Sequence, residues 1–260
     1  MRLPPIVEPV EALSDTERAR TLRHAALAGF GPVGQRRLAG ATVGVMGAGG
    51  LGSSALLALA AAGIGRIVLI DDDTVDLSNL HRQIIHGVGD VGRSKLDSAI
   101  ESIHAVSPET VVVPHQVRLD ATNAVELLRG CDVVLDGSDT MATRTAVAAA
   151  CEELGIPLVW GTVQEWHAQL TVFWSAPPEG VEPIVLRDLF DPATTGEPPS
   201  CAAVGVLGAL TVQVGALMAT EAIKLVTGAG DPLFGRLLFI DGLGARQREI
   251  ALQPATRVPA

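Results

Sequence analysis

The sequence predicts an α/β protein: a mixed β-sheet with a parallel core, helices on both faces and antiparallel C-terminal strands. Three observations carry that expectation. Short apolar runs at Thr42–Met46, Arg66–Ile70, 111–113, 132–136 and 156–159 alternate with helix-length stretches, the pattern of parallel strands joined by helical crossovers. The first two runs bracket Gly47-Ala48-Gly49-Gly50-Leu51-Gly52, a glycine turn that opens a helix. Past residue 165 the pattern changes, because 169–173 alternates apolar with polar and 237–241 and 249–252 read as two further strands.

In chain order, Ser14-Asp15-Thr16-Glu17 has the side chains of a capping box and starts a helix expected to run to about Leu27. Arg18, Arg20, Arg23 and His24 lie along it, which by itself is a solvated basic face. The glycine turn follows the first strand. Gly47, Gly49 and Gly52 have the spacing that lets backbone amides at a helix N-terminus approach a phosphate, and Gly50 lies in the same turn. The second strand delivers Asp71, about 19 residues after Gly52, where a carboxylate accepts from ribose hydroxyls. A nucleotide-binding, Rossmann-like sheet is the reading. Leu96, Ile100 and Ile103 mark a helix ended by Pro108, 121–129 reads as helical, and an alanine-rich helix runs to Leu154. Asp136 and Asp139 stand at the carboxyl end of the fourth strand, the end that faces the ligand crevice in such sheets. Residues 175–200 are rich in Pro, Gly and acids and form a long crossover loop. The apolar helix expected at 204–226 carries Thr211, Gln213, Thr220, Glu221 and Lys224, so it belongs in a core rather than a membrane.

Which nucleotide is bound depends on the polar segment 71–95. A pyrophosphate can be satisfied by backbone amides and a helix dipole, whereas a triphosphate calls for added cations. Arg82 and Lys95, with Asn79, could supply the polar groups. The bland alternative is an ordinary solvated loop.

Composition bounds the rest. At 260 residues and 48% apolar, the chain is long enough for one domain, 1–260, with an N-terminal helical arm over 1–40. A formal charge of −10 and a pI near 5.0 argue against nucleic acid or an anionic membrane as partner. Cys131, Cys151 and Cys201 are widely spaced, suggesting neither a disulfide framework nor a zinc ligand set and fitting a reducing, cytoplasmic setting. The first residues lack the basic and apolar regions of a secretory signal.

Taken together, the glycine turn, Ile70-Asp71-Asp72-Asp73, Ser78-Asn79-Leu80-His81-Arg82-Gln83 and Gly92-Arg93-Ser94-Lys95 resemble the MoeB/ThiF family. These are adenylyltransferases of molybdopterin and thiamine biosynthesis, relatives of the ubiquitin-activating enzymes. The resemblance runs from residue 20 to about 249. It implies a homodimer that uses ATP and Mg²⁺ to activate the C-terminal glycine of a small ubiquitin-like sulfur carrier protein ending in Gly-Gly. Implied roles follow residue by residue: Asp71 on the ribose; Asp73, Asn79 and Gln83 with the glycines around the nucleotide; Arg82 and Lys95 on the phosphates; Asp139 on the metal. Arg23 resembles an arginine that reaches the neighbouring subunit's site, and Cys201 resembles a cysteine that in thiamine-type members links covalently to the carrier. A small packed residue at a helix start is the other reading of Cys201.

The sequence also departs from the family's pattern. Thr140 stands where Asn is usual, and the family's Arg-Tyr-x-Arg-Gln appears as Arg20-Thr21-Leu22-Arg23-His24. Many relatives hold zinc with two Cys-x-x-Cys pairs. Here the first pair's place reads Glu182-Pro183-Ile184-Val185-Leu186-Arg187 and 253–260 contains no cysteine, so no zinc is expected. Two alternatives stay open: a non-catalytic scaffold member and a nicotinamide-dependent oxidoreductase, which would leave Arg82 and Lys95 without a task.

Overall fold

A computed structural model describes residues 1–190, 195–197, 199 and 201–254, with Cys201 and Ala202 in backbone only. The chain begins with α1 (Asp15–Arg20), where the Ser14 hydroxyl accepts from the Glu17 amide at 2.9 Å. Only this half of the expected capping box forms. The Glu17 carboxylate turns to Arg20 at 2.6 Å and is buried, with Arg20 half-buried beside it. The single helix expected over 14–27 is broken at Thr21, whose hydroxyl donates to the Glu17 carbonyl, and α2 (Leu22–Ala25) resumes after it. A further helix of the N-terminal arm, α3 (Gly31–Gly40), follows with Pro32 in its first turn, where a missing amide costs nothing.

The sheet and its crossovers are β1 (Thr42–Met46), α4 (Gly50–Ala62), β2 (Arg66–Ile70), α5 (Lys95–Val106), β3 (Val111–His115), α6 (Ala124–Leu128) and β4 (Val133–Asp136). Then come α7 (Met141–Leu154), β5 (Leu158–Gln164), β6 (His167–Phe173), α8 (Cys201–Val204), α9 (Gly208–Thr227), β7 (Arg236–Asp241) and β8 (Arg246–Ala251). Strand order is β3-β2-β1-β4-β5-β6-β7-β8. The first five strands in that order are parallel and β6, β7 and β8 are antiparallel, as the change of pattern past residue 165 predicts. From β1 the chain steps outward to β2 and β3, then returns to β4 and moves the other way. Right-handed crossovers therefore put α4 and α5 on one face and α7 on the other. The reversal between β1 and β4 opens a crevice at the carboxyl ends of both strands.

Two packing contacts fix the glycine-turn helix. Arg20 donates to the carbonyls of Ala60 and Ala61, and Gln35 to that of Ala62, so the N-terminal arm satisfies the last carbonyls of α4. Arg20 is thus part of a structural cap and not of a solvated basic face. On its other side α4 meets α9 backbone to backbone: a Cβ on Gly215 would stand 2.2 Å from the Leu51 carbonyl oxygen. The long helix begins at Gly208 rather than at 204. Gly205 is in the left-handed region at φ +79°, and the Leu207 amide donates to the Glu165 carbonyl, which breaks the helical run. By length and composition α9 could cross a membrane, but 56% of its most apolar stretch is buried inside this chain.

Candidate active site

The crevice is a cleft of about 790 Å³ whose floor is the glycine turn. Gly47 adopts φ +83°, which turns the chain sharply out of β1. A Cβ on Gly52 would fall 1.9 Å from the Gly47 carbonyl oxygen, so only glycine lets α4 start this close to the turn. The N-terminus of α4 is thereby aimed at the cleft. Asp71, at the end of β2, grips the turn: one carboxylate oxygen accepts from the Ala48 amide at 2.7 Å and the other from the Asp73 amide at 2.8 Å. Burial raises its pKa above the ordinary value, opposed by the Asp73 amide, Lys95 and the Ala48 amide.

Lys95 is not a loop charge facing water. It is the first residue of α5 and only 5% exposed, with its Nζ 2.8 Å from a carboxylate oxygen of Asp73. A cation at a helix N-terminus opposes the dipole, and burial opposes it again. Both penalties fall on a residue that lines the cleft. Arg82 lines the same cleft, and its guanidinium donates to Oδ1 of Asn79. Asn79 does not itself line the cleft and meets it through this hydrogen bond to Arg82. Gln83 is buried against the glycine turn, and its Oε1 has no protein partner.

Asp136 and Asp139 separate cleanly. Asp136 does not line the cleft as its position suggested: it is fully buried, accepts from the Ser138 amide, and burial raises its pKa. Asp139 is exposed and lines the cleft. The helix cap is Thr140, whose hydroxyl accepts from the Thr143 amide, so Asp139 has no capping duty. An exposed carboxylate at the edge of this cleft is a donor of the kind Mg²⁺ takes, one or two per ion. Asp71, Asp72 and Asp73 bring carboxylate oxygens within 4.8 Å of one another, but Asp71 is committed to two amides and Asp73 to Lys95.

Two supports frame these residues. Arg144 donates to the Ser138 carbonyl at 2.8 Å and to the Thr162 hydroxyl at 2.9 Å, fastening the 137–139 turn to β5. The segment 117–121 after β3 also lines the cleft, and Arg118 pairs with Asp72 at 3.4 Å. The rule that parallel strands bind ligands at their carboxyl ends points to that segment too. Arg23 is exposed on α2 and does not line its own chain's cleft. The side chain of Cys201 lies outside the described residues; its backbone belongs to α8, not to the start of the long helix.

Comparison with known proteins agrees with this geometry. Residues 21–259 match the ThiF family. The chain is 48% identical over 258 residues to MoeZ of Mycobacterium tuberculosis, assigned as an adenylyltransferase/sulfurtransferase; the match covers 99% of this chain and 66% of MoeZ. It is 42% identical to the sulfur carrier protein adenylyltransferase of Thermus thermophilus, covering 94% of this chain and 90% of that protein. In fold, it superposes on E. coli MccB with a TM-score of 0.77 at 20% identity, over 94% of this chain and 73% of MccB. A match spanning nearly the whole chain, on a cleft built from the motifs that first suggested it, makes this chain a member of the ThiF family.

Proposed function

We propose that this chain activates the C-terminal glycine carboxylate of a small ubiquitin-like sulfur carrier protein by adenylation. The carboxylate oxygen attacks the α-phosphorus of ATP, the bond to the bridging oxygen of the β-phosphate breaks, and pyrophosphate leaves with that electron pair. The products are carrier acyl-adenylate and pyrophosphate. A carboxylate is already a nucleophile, so the protein's task is to align the reactants and neutralise the leaving group. The observation that carries this reading is Lys95, a buried cation at a helix N-terminus opening onto the glycine turn. A nicotinamide cofactor would have no use for it.

In this reading Asp71 holds the ribose, the amides of the glycine turn and α4 hold phosphate oxygens, and Lys95 and Arg82 take the growing negative charge on pyrophosphate. Asp139 would hold Mg²⁺, which would supply further charge neutralisation. A homodimer would bring the exposed Arg23 into the partner's cleft. Structural zinc is not required, because Ile184 and Leu186 are core residues where relatives carry a cysteine pair. The free thiols Cys131 and Cys151 and the use of ATP fit the cytoplasm. The carrier step needs no thiol, so Cys201→Ser should keep adenylation, and any covalent carrier adduct lost with it would be a separate step.

The test is ATP–pyrophosphate exchange with a carrier ending in Gly-Gly and with the same carrier lacking its last glycine. Exchange stimulated by the first and not the second is expected. No stimulation by any Gly-Gly carrier, under conditions where ATP binds, would overturn the assignment.

A further inference from the structure

We propose that His86 is a positioning residue that fixes the distance between the glycine turn and the helix carrying Lys95. His86 is 6% exposed and bridges two elements of the cleft without lining it. Its Nε2 lies 3.0 Å from the Ala48 carbonyl oxygen, and its Nδ1 lies 2.8 Å from the Ser98 hydroxyl on α5. The Ala48 carbonyl can only accept, so Nε2 carries a proton and donates to it. In a neutral ring Nδ1 then accepts from Ser98. Burial first, and Lys95 after it, lower the ring's pKa and favour the neutral form, against the opposing effect of the Ala48 hydrogen bond.

Three features make this bridge part of the site rather than general packing. Ala48 is held on both sides, its amide by Asp71 and its carbonyl by His86 at 3.0 Å and the Ser53 hydroxyl at 3.3 Å. That residue lies between Gly47 and Gly49, whose path sets where the amides at the start of α4 point. Ser98 is one helical turn from Lys95, so the far anchor holds the same turn of α5 that carries the phosphate-facing ammonium. The segment between is fastened as well: the Ser102 hydroxyl donates to the Ile85 carbonyl at 2.7 Å, and the His86 amide donates to the Gln83 carbonyl. Arg82 and Gln83 therefore move with His86. One imidazole sets the spacing of the glycine turn, the Arg82 segment and Lys95, the three parts that must close on a triphosphate together.

The inference rests on the nucleotide reading of the cleft, and paired ligands test it. Equilibrium binding is measured for ATP, which engages all three parts, and for adenosine, which needs only the ribose end at Asp71. A glutamine side chain can place an amide donor where Nε2 stands, whereas asparagine can reach the Nδ1 position only. His86→Asn should weaken ATP binding by about tenfold, the scale of losing the shorter of two donors to a buried carbonyl that keeps only the Ser53 hydroxyl at 3.3 Å. Adenosine binding should stay within about twofold, and His86→Gln should recover ATP binding to within about threefold. Ser98→Ala leaves the imidazole in place and removes the far anchor, so it should weaken ATP more than adenosine even if the asparagine variant folds poorly. Equal losses for ATP and adenosine, or equal behaviour of the asparagine and glutamine variants, would overturn the assignment. A parent protein that binds no ATP would instead sink the adenylation reading itself.

Discussion

Replacing Lys95 with methionine removes one charge and keeps most of the side chain's length, which makes it a sharp test of whether that charge serves a ligand. Three contributions to stability change. The favourable pair with Asp73 is lost, and because Asp73's side chain is 60% exposed it returns to water, which limits the loss to about 1 kcal/mol. A cation leaves the N-terminus of α5, a gain of about 0.3–1 kcal/mol. An apolar side chain fills a site where the ammonium was largely desolvated, which is a further gain in sign. The losses and gains are of similar size. Lys95→Met should therefore unfold within about 4 °C of the parent, given about 2–4 °C per kcal/mol for a domain of this size. Carrier-stimulated pyrophosphate exchange should fall by about two to three orders of magnitude, as when one preorganised charge is removed from a reacting centre. Thermal unfolding with and without ATP supplies the second readout. ATP at a hundred times its Kd should stabilise the parent by about 2.7 kcal/mol, and the same concentration should stabilise the variant much less. Exchange within tenfold of the parent, or a stability loss beyond about 3 kcal/mol, would show that Lys95 is a structural ion-pair residue and that its buried position says nothing about a triphosphate.

Gly52→Ala places a methyl 1.9 Å from the Gly47 carbonyl oxygen, so backbone must shift; a loss of about 2–3 kcal/mol in urea unfolding is expected, and an unchanged midpoint would mean the turn is not rigid. Burial lifts Asp71 above its ordinary value of 3.8, so adenosine binding should weaken as pH falls through that raised value, while Asp71→Asn shows no such dependence. Folding stability runs the opposite way for this group: the native state binds its proton more tightly, so the contribution is full below the unfolded value and lost as pH rises through the folded one. Burial, and Asp132 after it, push the Cys131 thiol up to about 12, and burial raises Cys151 as well, so neither should be alkylated at pH 8 in native protein. Rapid labelling of either by intact-mass measurement, without unfolding, would contradict their burial.

Much of this protein was legible because its signals are local. The glycine turn, the acid about 19 residues on and the alternation of apolar runs are consequences of backbone sterics and side-chain periodicity, and they held in the structure as a parallel sheet with Asp71 gripping the turn. Cap chemistry was legible in the same way, since Ser14 reaches only three residues ahead. What the sequence could not decide is which partner a polar side chain takes across the fold. Glu17 had the right spacing for a capping box, yet Arg20 took it, because Arg20 was also drawn to the open carbonyls of α4 some 40 residues away. Asp136 and Asp139 are three residues apart at the end of one strand and looked equivalent; only the packing of the sheet buried the first and left the second facing the cleft. Lys95 read as a loop cation, and tertiary contact made it a buried charge at a helix start. His86 carried no motif at all. Its role depends on bringing Ala48 and Ser98 within hydrogen-bond reach of one ring, and that distance is set by how α5 packs beside the glycine turn, which no local pattern encodes.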